Sequence, residues 1–252
     1  MLLPEIFSPG VLNWEDRLRN IEHAMSLGLP ELEVRQEQPG FLTLACYGPS
    51  LKQTYREITR PLLSVSGAHD FLIERGRVPT YHVEADPRPH KAGMLTKASD
   101  QTEYIISAMC HPSVFEALKG RNVKIFHYEN GPESQWWHAV NSPNTPLIGG
   151  GSTVGLRALE VAHVLGFRAL DIHGMDSSFE KNGNQWAGSH TGRPKDAFPV
   201  KAHTGRTFWT STLMVQAARE AVGFFKSHNI PVKIRGDGLI REMMKPQLRR
   251  AA

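Results

Sequence analysis

The segment "IGGGSTVGLRALEVAHVLGFRALDIHG", Ile148 to Gly174, reads as a turn, a helix and a strand in one pass. Its glycines, Gly149 to Gly151, let the backbone turn sharply, since glycine alone takes positive φ at little cost. Val154, Ala158, Val161 and Leu165 then recur at spacings of four, three and four, an apolar stripe along one helix face. Gly166 stops the helix and "RALDIHG" follows as a strand. A glycine turn that opens a helix also aims backbone N–H groups at one point, so these residues are an anion-ready site as well as a turn. Ser152 and Thr153 are placed to cap the helix and to offer hydroxyls to phosphate oxygens.

Outward from this segment the same grammar repeats. "FLTLAC", "PLLSV", "TYHVEA", "EYIISAM", "NVKIF" and "IPVKIR" are short apolar runs bounded by turn residues, and read as strands. Between them lie helical patterns such as "PSVFEALKG", with Pro112 suited to the first helical position and Gly120 to the stop. Strand then helix, repeated, predicts an α/β fold: a mostly parallel sheet with helices on both faces, in one domain. A helical N-terminal extension over residues 1–40, around "WEDRLRNIEHAMSLGL", precedes a main domain over 41–240, and a basic tail closes the chain over 241–252. Near the end, "TFWTSTLMVQAAREAVGFFKSH" is amphipathic, with Met214, Ala217, Ala221 and Phe224 on one face, while Trp136 and Trp137 read as a buried aromatic pair.

Composition narrows the function. No stretch of ~18 apolar residues is present to span a bilayer, and "MLLPEIFSPG" has neither a basic flank nor a long apolar core, so a soluble cytoplasmic protein with no membrane partner is expected. A net charge of +4 suits an anionic partner. Nucleic acid has no helix-turn-helix, zinc-finger or aromatic RNA motif behind it, and an anionic small substrate explains the charge equally well. Cys46 and Cys110 lack metal-ligand spacing and read as buried free thiols.

Four further features carry chemistry. In "LACYGPSLKQT" a strand runs into Gly48, Pro49 and Ser50, with Ser50 placed as an N-cap and Lys52 and Arg56 adding charge. In "YHVEADPRPHK", Glu84 and Asp86 stand two apart at a strand end, facing one side while the chain stays extended; together they suit a divalent cation such as Mg2+, or Asp86 alone suits a ribose. In "DIHGMDSSF", Asp176 projects beyond a strand, where a carboxylate can bind metal, orient a hydroxyl or act as a base. Last, "HTGR" occurs at His190 to Arg193 and again at His203 to Arg206 within a long polar stretch that reads as a lid loop; its histidines suit acid–base work and its arginines a phosphate clamp. No Walker-type loop is present. Gly149, Gly151 and Gly155 are spaced one residue longer than the dinucleotide fingerprint, although Asp171 stands about where a ribose-binding acid would, which leaves a nicotinamide-dependent enzyme as a third reading.

The set "YGPSL", "VEADP", "GGGSTVGLRALEVAHVLGFRALDIHGMDSSF" and "GRTFWTSTL" resembles the family that joins archaeal-type 6-hydroxymethylpterin diphosphokinases to the motility accessory factors of flagellin glycosylation. The resemblance runs from about Phe41 to about Ile234 and implies a Rossmann-like domain similar to that of bacterial sialyltransferases. It implies nucleotide phosphates at Gly48, Pro49 and Ser50 and at Gly150, Gly151, Ser152 and Thr153, with Asp86 and Asp176 serving metal, ribose or acceptor, and His190 matching a histidine beyond the Gly-x-Asp motif. Where the family has G-x-G-P-S-L, this chain has Cys46-Tyr47-Gly48 after Ala45 and so lacks the first glycine. The main expectation is diphosphate transfer from ATP, with magnesium, to a small hydroxylated acceptor. The alternative is a glycosyltransferase using a nucleotide-activated sugar of the CMP-nonulosonate type, and a third is a nucleotide-binding module without turnover.

Overall fold

Every run read as a strand forms one. The computed structural model describes residues 12–149, 151–188 and 194–245. The main sheet contains β1 (Gln38–Ala45), β2 (Leu62–Val65), β3 (Tyr81–Glu84), β4 (Glu103–Ser107), β5 (Asn122–Tyr128), β6 (Leu147–Ile148), β7 (Phe167–His173) and, after a separate hairpin, β10 (Val232–Ile234). Its order is β10-β7-β1-β2-β3-β4-β5-β6, and every pairing in it is parallel. The central strands are buried along almost their whole length, which is why they read as continuous apolar runs and not as alternating ones.

From β1 the chain steps outward to β6 and then returns past β1 to β7. That return is made by α6 (Val154–Val164), which packs on β2, β3 and β7. Because crossovers between parallel strands are right-handed, the reversal puts the helices of the two halves on opposite faces. Before it come α1 (Trp14–Ser26), α2 (Leu51–Thr54), α3 (Ala68–Ile73), α4 (Pro112–Ala117) and α5 (Pro132–Asn141); after it come α7 (Thr212–Ser227) and α8 (Leu239–Met244). This is the expected Rossmann-like α/β domain.

The stripe of α6 behaves as its spacing predicts: Ala158, Val161 and Leu165 are buried, and Gly166 takes φ 94° at the stop. In α7, Ala217 and Ala221 are buried, and Ser211 caps the helix by accepting from the Met214 N–H. Among the described residues no helix is long and apolar enough to cross a membrane. Both cysteines are buried free thiols.

Several local expectations change. Helix α2 ends at Thr54 and passes into a single 3-10 turn, Tyr55–Glu57. The described part of the polar stretch is not all irregular: β8 (Phe198–Lys201) and β9 (Thr207–Thr210) pair as an antiparallel hairpin, so "TFWT" is strand and the helix begins only at Thr212. Trp136 is 68% exposed, and Trp137 packs on the His127 ring. Neighbours on a helix point about 100° apart, so only one tryptophan of an adjacent pair can face the core.

Candidate functional site

The strand order reverses between β1 and β7, and in parallel sheets ligands bind beside such a point, outside the carboxyl ends of the strands. The loops leaving these two strands are in close backbone contact. The Cys46 N–H donates to the His173 carbonyl and the Gly48 N–H to the Gly174 carbonyl, each at 2.8 Å. A Cβ on Gly48 would lie 2.4 Å from the Gly174 oxygen and 2.5 Å from Asp176 Oδ2, so only glycine allows this approach.

Asp176 binds the two loops together. Its Oδ2 accepts from the Ser50 N–H at 2.8 Å and its Oδ1 from the Ser50 hydroxyl at 2.6 Å. Gly238 packs against its backbone, and the residue is 5% exposed. Burial pushes its carboxyl up to about 6; Glu180 and Asp237 act in the same direction, and the Ser50 bonds only partly oppose them. Ser50 is therefore not the expected N-cap: its hydroxyl is spent on Asp176, and α2 has no side-chain cap.

At the glycine turn, Gly151 takes φ 135°, and Thr153 caps α6 by accepting from the Leu156 N–H, as expected. Gly150 lies outside the described residues. Two of the turn's N–H groups are held by the protein's own carboxylates. Ser152 gives its N–H (2.9 Å) and its hydroxyl (2.8 Å) to Glu220 of α7, and Gly149 gives its N–H to Glu160 of α6. The turn is anion-binding in its chemistry, with side chains as the anions.

Glu84 and Asp86 are each engaged by neighbouring side chains and N–H groups. The chain stops being extended at Glu84, whose side chain folds back so that Oε1 accepts from the Ala85 and Asp86 N–H groups and Oε2 from the Ser66 hydroxyl. Asp86 forms a bidentate pair with Arg88 and lies 3.3 Å from Lys91 Nζ. Burial acts to raise the Asp86 carboxyl, but Arg88 and Lys91 outweigh it and hold it at about 2. The donor set expected for Mg2+ thus already carries two cations and four neutral hydrogen-bond donors. No cluster of three or more potential metal-ligating side chains occurs among the described residues.

His203 and Arg206 stand in the exposed turn of the β8–β9 hairpin and do not line the cleft. Arg206 is bidentate to Asp237 (2.7 and 2.8 Å) and reaches Glu242 at 3.0 Å, so its guanidinium anchors α8. His190 and Arg193 lie outside the described residues. Asp171 lies within β7 and is held by Arg235, not free for a ribose, and Lys52 pairs with Glu180.

The cleft along the strand ends has a volume of about 770 Å³, within the usual range for a small-molecule site. Its floor is Tyr47 to Pro49, Ser66, Asp86 to Arg88, and Tyr128 to Asn130. Gly151 to Arg157, Gly174 to Ser178 and parts of α7 close it. Arg17 of α1 lines it too, so the N-terminal helix is a wall of the site and not an appendage. A smaller hollow of about 400 Å³ lies at the opposite, amino ends of β1 and β7. Arg17, Tyr128, Arg157 and Glu220 were not singled out from sequence; the one legible signal was an arginine within the apolar stripe of α1.

Among curated proteins, none matches the chain in sequence. Among solved structures it resembles the MAf glycosyltransferase from Magnetospirillum magneticum AMB-1, with TM-score 0.61 and 13% identity, over 91% of this chain and 38% of that one. At that identity the likeness is one of fold, and the chain spans well under half of that protein's length. The sialyltransferase CstII from Campylobacter jejuni, solved with cytidine-5'-monophosphate, aligns over 84% of this chain and 86% of that one, with TM-score 0.45 and 14% identity. The profile of one protein family matches residues 19–182, well over half of the sequence. On that match, and on a fold that agrees with it, the chain belongs to the MptE-like family, described as 6-hydroxymethylpterin diphosphokinase MptE-like.

Proposed function

We propose that the protein transfers a glycosyl group from a nucleotide-activated sugar to a small hydroxylated acceptor bound in this cleft. The observation that carries the reading is Asp176, a buried carboxylate at the switch point whose pKa is pushed up to about 6. A carboxylate raised into that range and still ionised at neutral pH is a general base matched to an acceptor hydroxyl. In the step, the acceptor oxygen bonds to the anomeric carbon as the bond from that carbon to the nucleotide phosphate breaks. Asp176 takes the hydroxyl proton, and the nucleotide leaves with the electron pair. Ser50 holds the carboxylate in place.

Diphosphate transfer from ATP draws less support from this site, because its magnesium was expected at Glu84 and Asp86 and both carboxylates are committed elsewhere. A departing nucleotide phosphate needs fixed donors and positive charge, which a protein can supply by itself. Here the phosphate would take the Ser152 N–H and hydroxyl from Glu220, next to the capped start of α6. The resemblance to motility accessory factors favours a CMP-nonulosonate as donor, and the MAf glycosyltransferase has the same fold.

Calorimetric titration with CMP and with ATP, each with and without magnesium, tests this, followed by an assay for CMP release from CMP-N-acetylneuraminate. Magnesium-independent CMP binding with turnover is the expected result. Magnesium-dependent ATP binding without cytidine binding would restore the diphosphokinase reading, and binding without turnover of either would leave a nucleotide-binding module.

A further inference from the structure

Helix α1 buries Arg17, Asn20, Ile21 and Ala24, the spacing of a helix face laid on a core. An arginine thus occupies a place where the pattern calls for an apolar side chain. Arg17 is 6% exposed, lines the cleft, and its Nε has no hydrogen-bond partner among the described residues. Arg157, in the first turn of α6, lines the same cleft, and its Nε is likewise buried without a partner. Its guanidinium lies 4.0 Å over the ring of Tyr128, at the end of β5. Neither guanidinium has a salt bridge among the described residues.

Burial opposes the charge on Arg17 most strongly and Arg157 adds to it, while Tyr128 and Glu133 favour that charge without forming a salt bridge to it. Of the carboxylates that line this end of the cleft, Asp86 is already taken by Arg88 and Lys91, and Glu129 accepts from Gln135. A buried cation without a salt bridge is costly, and a second, half-buried cation near it makes it more so. An arginine fork is built to take an oxyanion through paired N–H bonds. Asn20 of α1 bonds the Met109 carbonyl just beyond β4, which sets Arg17 at the β4–β5 end of the cleft, away from the Ser50–Asp176 contact beside β1 and β7.

We propose that Arg17 and Arg157 form an oxyanion subsite at the β4–β5 end of the cleft, which takes a carboxylate or phosphate carried by the sugar or the acceptor and not by the nucleotide. The subsite rests on the cleft being the substrate site proposed above. It makes the enzyme selective for anionic over neutral sugars, with Tyr128 holding Arg157 through its ring face.

The test uses the full chain and its Arg17→Met and Arg157→Met variants, with glucuronate, glucose 6-phosphate and glucose as probes at constant ionic strength. Calorimetry should show one or both anionic sugars binding and glucose not. Each variant should weaken anionic binding about ten- to a hundredfold, as expected for loss of a charge-assisted hydrogen-bonded pair. Glucuronate against glucose 6-phosphate tells which oxyanion is preferred. With no ligand, Arg17→Met should not melt below wild type, because it removes a buried charge that has no salt bridge; an arginine kept only for packing would show a drop. The anionic sugar should bind in the presence of saturating CMP. Competition with CMP would place the nucleotide's own phosphate between the arginines and overturn the proposal, as would equal binding of glucose, no binding of either anion, or a loss of apo stability in Arg17→Met. CMP binding without anionic-sugar binding sinks the subsite alone; anionic-sugar binding without any nucleotide binding sinks the glycosyl-transfer reading alone.

Discussion

Replacing Asp176 with asparagine separates what this carboxylate does for the reaction from what it costs the fold. Burial lifts its pKa from the usual 3.8 to about 6. At about 1.4 kcal/mol per unit, that difference of about two units corresponds to about 3 kcal/mol. The folded pKa lies above the unfolded one, so the sign is fixed. Below about pH 4 both states are protonated and nothing is lost; between about pH 4 and 6 the unfolded chain releases its proton while the folded one keeps it, and stability falls as pH rises. Above about pH 6 both are ionised and the full penalty stands. Asparagine has the same shape, and can accept from the Ser50 N–H while the Ser50 hydroxyl turns to accept from its amide. The variant should therefore match wild type near pH 4 and exceed it by about 3 kcal/mol near pH 8, while losing transfer activity. Urea unfolding of both proteins across pH 4 to 8, followed by tryptophan fluorescence, measures the difference. In parallel, wild-type kcat/KM should fall below about pH 6 with unit slope, as the base takes up its proton. A stability difference that does not change with pH would falsify the reasoning, since it would mean that the carboxyl does not titrate differently in the folded state.

Four other outcomes are expected. Gly48→Ala puts a Cβ 2.4 Å from the Gly174 carbonyl, so the two loops must part; a loss of about 1–3 kcal/mol in thermal unfolding is expected, together with lost turnover, and wild-type behaviour in both would remove the close contact from the site. Glu84→Ala leaves the Ser66 hydroxyl and the Ala85 and Asp86 N–H groups without their acceptor and should cost about 1–3 kcal/mol in urea unfolding; a loss seen only with magnesium present would return the residue to metal binding. Glu220→Gln removes a negative charge from the Ser152 N–H and hydroxyl and should tighten CMP binding several-fold by calorimetry, with weaker binding counting against a phosphate at that turn. Burial pushes the Cys46 and Cys110 thiols up, so Ellman's reagent should find neither in the native protein and both in denaturant.

What was legible in the sequence is what neighbouring residues decide among themselves. A strand buried on both faces must be apolar along its length, and "PLLSV" and "EYIISAM" say so without reference to anything distant. Thr153 as a cap and Gly166 as a stop are equally local. The hairpin β8–β9 was hidden because its first strand is mostly exposed and carries Pro199, so no apolar face announces it. The partnerships of the site are not local at all. Ser50 and Asp176 are 126 residues apart, and nothing around either one tells that the hydroxyl caps a carboxylate and not a helix. Glu84 and Asp86 show the reverse error: alternation puts them on one face only while the strand continues, and it ends at the first of them.

Arg17 shows where local reasoning could have reached further. Its spacing from Asn20, Ile21 and Ala24 marks it as inward-facing, and a guanidinium at an inward position requires a counter-ion. If the fold supplied a salt bridge, the arginine would be a structural strut; the described residues supply only the more distant Tyr128 and Glu133, and a second, half-buried arginine nearby also has an unpartnered Nε. Two such charges in a cleft wall are better explained by something that arrives than by something built in. A polar residue within an otherwise apolar helical stripe is thus a sign of a site that needs no motif to be read, and its neighbourhood then tells the charge of what binds there.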